Sequence, residues 1–181
     1  CRSQCQGLQE DVFRCIRIIY SEDASWRRFC SKTHPIVGEG NIHDAVFSNL
    51  TISDTKQAFN IVAAYSRGNR GTDIYGVRFN NIRVHANELV RIHHMHSPAA
   101  TIKDIVFDGI CGSVKYTSKL WAKKAAPFTN IVFRNVDVPT DIECVNAQIK
   151  IEGGLISKKK LSSKDLKARI EGIESCKKLL H

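Results

Sequence analysis

A chain of 181 residues, 43% of them hydrophobic, is long enough for one domain with its own core and is composed like an ordinary globular protein. No apolar run approaches the roughly 18 to 20 residues of a membrane-spanning helix, so no membrane partner is expected. The net charge of +9 is uneven: residues 158 to 181 hold eight Lys or Arg against three acids, which is +5, so residues 1 to 157 carry only +4. A basic end of this kind suits nucleic acid or an anionic surface, but no nucleic-acid-binding signature accompanies it. A solvated helix face accounts for the charge, and nucleic acid is not the expected partner.

The chain begins at Cys1 and Met95 is its single methionine, so it reads as a processed chain or a piece of a longer one, with secretion left open. Its seven cysteines (Cys1, Cys5, Cys15, Cys30, Cys111, Cys144 and Cys176) include no CxxC pair, so no metal site or cofactor is expected. Cys1 and Cys5 have Cys15 and Cys30 as bridging partners in an oxidising compartment, while buried free thiols account equally well for Cys111 and Cys144.

Along the chain one phrase recurs: "VFRCIRI" (12 to 18), "VFSNLTI" (46 to 52), "VRFNNIRV" (77 to 84), "IVFDGICG" (105 to 112) and "IVFRNVDV" (131 to 138). Phe13, Phe47, Phe79, Phe107 and Phe133 lie 34, 32, 28 and 26 residues apart, and three residues beyond each comes Ile16, Leu50, Ile82, Ile110 or Val136. Strand-like alternation of Val, Ile and Phe excludes a helical repeat. A second short strand follows in "AFNIVAAY" (58 to 65) and "LVRIHHMH" (89 to 96). Short strands in a repeat of this length predict an all-β fold, a right-handed parallel β-helix of about five rungs over residues 1 to 152.

Apolar residues three apart break strand alternation, so each copy needs a bend. It falls two residues past the Phe, at Cys15, Asn49, Asn81, Gly109 and Asn135, and Asn and Gly tolerate the left-handed backbone a bend requires. Stacked Asn side chains can hydrogen-bond along such a column. The sequon Asn49-Leu50-Thr51 therefore reads as a structural asparagine rather than a glycosylation signal. Beyond residue 150, "SSKDLKARIEGIESCKKLL" (162 to 180) spaces Leu166, Ile170, Ile173 and Leu180 as an amphipathic helix, with "GGLISKKK" (153 to 160) as its linker. The expected division is thus 1 to 152 and 153 to 181, with the helix closing the open end of the solenoid.

The phrases "GVRFNNIRV", "NIVFRNVDV" and "GEGNIHDAVFSNLTISD" resemble the coils of right-handed parallel β-helix carbohydrate-active enzymes, especially the polygalacturonase-like glycoside hydrolase family 28, over residues 10 to 140. The resemblance implies a glycoside hydrolase, or the C-terminal part of one, with a secreted or periplasmic location. The family's Asp-Asp pair, Gly-His-Gly and Arg-x-Lys are not in this sequence, and Asn60 and Val62 stand where the last would place its charges.

Glycoside hydrolysis needs two carboxyls, and among the outward positions flanking each Phe and its Ile only Asp108 and Asp137 are acidic. They are the catalytic candidates, with a salt bridge to Arg134 as the structural alternative. Arg14, Arg17, Arg78, Arg83 and Arg134 share that face and suit an acidic, uronate-containing polysaccharide. "ELVRIHHMHSP" supplies Arg91, His93, His94 and His96; its apolar Leu89, Val90 and Ile92 cannot all point inward, so a bend lies nearby and the face of each His is open; if they share a face, His94 and His96 would bind sugar or a metal, or move protons. The turn "SRGNRGTD" adds Arg67, Arg70 and Asp73 as substrate contacts. "SEDASW" places Glu22 and Asp23 beside Trp26. Two functions fit: a polysaccharide-acting hydrolase, or a noncatalytic carbohydrate-binding or structural β-helix module.

Overall fold

Each copy of the repeat turns because a left-handed residue reverses the pleat, so that the residue after it points inward on the next side of the coil. A computed structural model describes residues 12–13, 16–18, 40–63, 72–94, 100–159 and 162. Its strands are β1 (Val12–Phe13), β2 (Ile16–Ile18), β3 (Gly40–His43), β4 (Val46–Ala63), β5 (Thr72–His94), β6 (Ile102–Tyr116), β7 (Ser118–Trp121), β8 (Phe128–Val145) and β9 (Ala147–Lys158). Every pairing between them is parallel, and the fold is an all-β parallel solenoid, as the repeat predicts.

The expected bend is present: Asn49, Asn81, Gly109 and Asn135 have φ of 57°, 52°, 63° and 50°. A second corner, five residues earlier in each coil, was not read from the sequence. It is formed by Asp44, Gly76, Asp104 and Asn130, all at positive φ, three residues before Phe47, Phe79, Phe107 and Phe133. Each coil therefore has a first side between these two corners, a second side beyond the Asn corner, and a third side in the later part of β4, β5 and β8 and in β7. The side-chain ladder anticipated at the Asn corner is made at the other one, where Asn130 Nδ2 donates to Asp104 Oδ1 at 2.8 Å. Asn135 Nδ2 donates instead to Asp108 Oδ1 at 3.3 Å.

The inward residues stack in register. Phe47, Phe79, Phe107 and Phe133 pair in successive strands with neighbouring ring centroids 5.2, 5.0 and 4.9 Å apart and near-parallel planes. Phe59, from the third side, tilts against Phe79 and Phe107. Such contacts add about 0.5 to 1.5 kcal/mol each beyond the area they bury. Leu89, Val90 and Ile92 are all fully buried in the same core, which confirms the bend their spacing requires. Gly112, at φ 135°, lies so close to the coil beneath it that a Cβ would stand 1.9 Å from the Val84 carbonyl oxygen.

Two expectations are corrected. Phe13 does not align with Phe47: β1 pairs Val12 with Thr51 and Phe13 with Ile52, and β2 pairs Ile16 with Phe59 and Arg17 with Asn60. An apolar pair followed by an alternating pair recurs at more than one corner of the coil, so the first copy's pattern fits either register. Residues 153 to 158 are not a linker but the second half of β9, where Ile156 is buried; Gly153 takes its place in the Asn-corner column at φ 77°. The helix expected over 162 to 180 lies outside the described residues.

Two substitutions test this packing. Phe107→Ala should cost about 3 to 5 kcal/mol of stability, and Gly112→Ala more than the ~1 kcal/mol typical of a point mutation, both read from urea denaturation midpoints. A Gly112→Ala protein as stable as its parent would contradict the close approach of the coils.

Candidate functional site

Register carries outward side chains into rows as it carries inward ones into the core. On the first side Ser48, Asn80, Asp108, Arg134 and Glu152 form one row. Arg134 there lies 3.6 Å from Asp108 and 2.7 Å from Glu152, which also meets Lys150 at 2.5 Å. Lys150 and Arg134 hold the Glu152 carboxyl below its ordinary range. Asp137 stands across the Asn corner in a different row, paired with Cys111. Asp108 is thus engaged by Arg134 and Asn135, and the two candidate catalytic aspartates lie on different sides of the coil.

The third side is built differently. Alternation around Phe59, Ile61, Val90, Ile92, Leu120 and Ile142, all in the core, turns Asn60, Arg91, Lys119 and Glu143 outward in one row. Val62, His93, Trp121 and Val145 form the next. Outward polar side chains are ordinarily exposed, yet Asn60 is only 9% and Glu143 2% exposed, and Val62 and Val145 are buried too. Arg91, His93, Lys119 and Trp121, between them, are half-buried. This stretch, about two strand spacings or roughly 10 Å along the stack and more accessible at its middle than at its ends, is the candidate cleft.

Its floor is organised from beneath. Glu88, at the corner leading into this side and 7% exposed, accepts from Arg91 Nε at 2.9 Å and Nη2 at 2.5 Å, a two-point grip that fixes the guanidinium plane. Lys119 Nζ sits 5.2 Å over the Trp121 ring. Burial first, then the charge of Arg91, drives His93 down to about 4, so it is a neutral imidazole that both donates and accepts. Asn60 Oδ1 is buried without a hydrogen-bond partner among the described residues.

The sequence candidates distribute as follows. Arg91 lies in the cleft floor. His94 turns the other way: its ring packs 5.0 Å from Phe128 and Nε2 lies 2.8 Å from the Ala100 carbonyl, so Nε2 carries the proton, since a carbonyl only accepts. Asp73 Oδ1 accepts from the Thr101 backbone at 2.6 Å. Arg67, Arg70 and His96, like Glu22, Asp23 and Trp26, lie outside the described residues, although 64 to 71 and 95 to 99 are the segments that leave the third side. Arg17 joins the row of Asn60 by its backbone pairing rather than the row of Arg83 and Asp137 anticipated for it.

Asn60, Glu88, Lys119, Trp121 and Glu143 were not singled out from sequence. The signal available was a polar residue between two apolar ones in each second strand. Cys144 is a free thiol, pushed up to about 11 mainly by burial; Cys111 is disulfide-bonded, its partner outside the described residues, which settles an alternative the sequence left open. Among the described residues no group of three or more metal-ligating side chains comes together, and no helix is long and apolar enough to cross a membrane. No family model, curated protein or solved structure matches the chain.

The neutral state of His93 has a consequence for pH dependence. Unfolded, His93 titrates at its ordinary 6.5; folded, at about 4. Below pH 6.5 the unfolded chain binds a proton that the folded one refuses, so stability falls with pH, by up to ~1.4 kcal/mol per unit and about 3 kcal/mol in all by pH 4. His94, also lowered by burial, contributes with the same sign. His93→Gln should flatten the decline between pH 6.5 and 4 in urea titrations; a variant as acid-sensitive as its parent would locate the effect elsewhere.

Proposed function

We propose that this chain is a polysaccharide-acting right-handed parallel β-helix protein, a glycoside hydrolase of the polygalacturonase-like type or the C-terminal part of one, acting on an acidic, uronate-containing polysaccharide. The observation that carries the reading is the third-side cleft. Its open floor offers a pre-oriented guanidinium edge and an ammonium for sugar carboxylates, a neutral imidazole for hydroxyls and an indole for the apolar face of a ring. Successive groups come one strand spacing apart, roughly 4.8 Å, close to the length of one sugar unit in an extended polymer. The groups follow one another along the stacking direction, which suits a stretch of polymer rather than a small molecule.

For hydrolysis the carboxyls bordering this cleft are Glu88 and Glu143, from strands two coils apart. In this reading Glu143, in the row of Arg91 and Lys119, protonates the departing oxygen, and Glu88, held at both oxygens by Arg91, orients that guanidinium. A second reading, a noncatalytic carbohydrate-binding module, is favoured by the burial of both glutamates and by the engagement of Asp108 with Arg134.

A C-terminal amphipathic helix over 162 to 180 completes the proposal as a cover for β9. That strand pairs only with β8 among the described residues, and it leaves Leu155 58% exposed. Deleting residues 160 to 181 should speed hydrogen exchange at β9 amides, and unaltered exchange would remove the cover from the proposal.

The functional test is incubation with a panel of polysaccharides, following reducing ends and, separately, retention on the immobilised polymers. Release from polygalacturonate, reduced 10²-fold or more by Glu143→Gln, is the expected result. Retention without release from any polymer selects the binding module, and neither sinks both. Arg91→Ala should weaken retention by about tenfold or more, the worth of a charge-assisted hydrogen bond.

A further inference from the structure

The corner asparagines do not all use their side chains alike. Asn130 donates to Asp104 at 2.8 Å, Asn135 to Asp108 at 3.3 Å and Asn146 to the Ala122 carbonyl at 3.1 Å. Asn49 has the same left-handed backbone, φ 57°, but it is exposed and its amide makes no hydrogen bond among the described residues. The corner needs only the backbone conformation, and the side chain at 49 is left over. It is also the asparagine of Asn49-Leu50-Thr51, the one Asn-x-Ser/Thr in the sequence.

Two further observations bear on it. Val46, outward on the strand that leads into this corner, is 59% exposed, an apolar surface that a sugar would cover. Cys111 is disulfide-bonded, and disulfides persist in oxidising compartments, where N-linked glycans are also added. The Asn corner joins the first and second sides, so a group attached there projects away from the third-side cleft.

We propose that Asn49 is an N-glycosylation acceptor and that the chain matures in an oxidising secretory compartment. The bond formed joins Asn49 Nδ2 to C1 of the sugar. The bond broken joins that C1 to the pyrophosphate of a lipid-linked oligosaccharide donor; the amide gives up one proton and the lipid pyrophosphate leaves. No oxidant or reductant takes part. The backbone of the corner is untouched, so its structural role and its modification coexist.

The test is the intact mass of the chain purified from the cells that make it naturally, before and after an amidase that cleaves the sugar–asparagine bond. The expected result is a mass above that of the polypeptide which falls on treatment, with position 49 then reading as Asp in the peptide map. Thr51→Val, close in shape but without the hydroxyl the transferase requires, should abolish the added mass, and Thr51→Ser should retain it. A native chain at the bare polypeptide mass would overturn the proposal whatever the variants do, as would a glycan that persists in Thr51→Val.

Discussion

No coil of this protein can bury its apolar side chains by itself; only the coils stacked on it can do so, and only in one register. Side chains in a strand alternate with period two, so a slip of one residue would turn Phe107 outward and Asp108 into the core. The left-handed corners prevent that slip. Because each residue after a corner begins a new side facing inward, the corners at Asp104 and Gly109 set the facing of Ile105, Phe107 and Ile110 together. The glycines among the corners are tied to their neighbours as well: the Asp44 carboxylate lies over Gly76 and the Asn81 amide over Gly109, where a Cβ would collide at 2.7 and 2.8 Å. Column and core are one constraint seen from outside and inside.

The part of the fold written most plainly in the sequence is the part where this constraint acts on one residue type. Phe at intervals near 30, with Asn or Gly two positions on, has no rival explanation. The Asp44 corner escaped because its column mixes Asp, Gly and Asn, residues that end strands everywhere. The first copy's register is not legible in its pattern because β1 and β2 repeat a spacing common to several corners. For the site, the difficulty is more basic. Arg91, Lys119 and Glu143 are 28 and 24 residues apart and meet only through register, and their orientation follows from the burial of Val90, Ile92, Leu120 and Ile142. Alternation predicts that such outward residues are wet; the burial of Asn60 and Glu143 is a property of the assembled coil.

The third side shows how burial and pairing are coupled. A buried Glu88 is costly unless paired, and its partner is the guanidinium that the floor presents, so the burial that costs stability also holds Arg91 in one plane. His93 and His94 sit side by side yet face opposite ways, one toward the cleft and one toward Phe128. Both are kept uncharged by burial, which spares the floor a further positive charge beside Arg91.

The connections between coils shorten along the chain. Eight residues separate β4 from β5, seven separate β5 from β6, six separate β7 from β8, and Asn146 alone links β8 to β9. From Asp44–Asn49 to Asn130–Asn135 the two corners stay five residues apart, so in those coils the shortening falls on the connections. The stack is therefore polar: its two ends differ in how much chain joins one coil to the next.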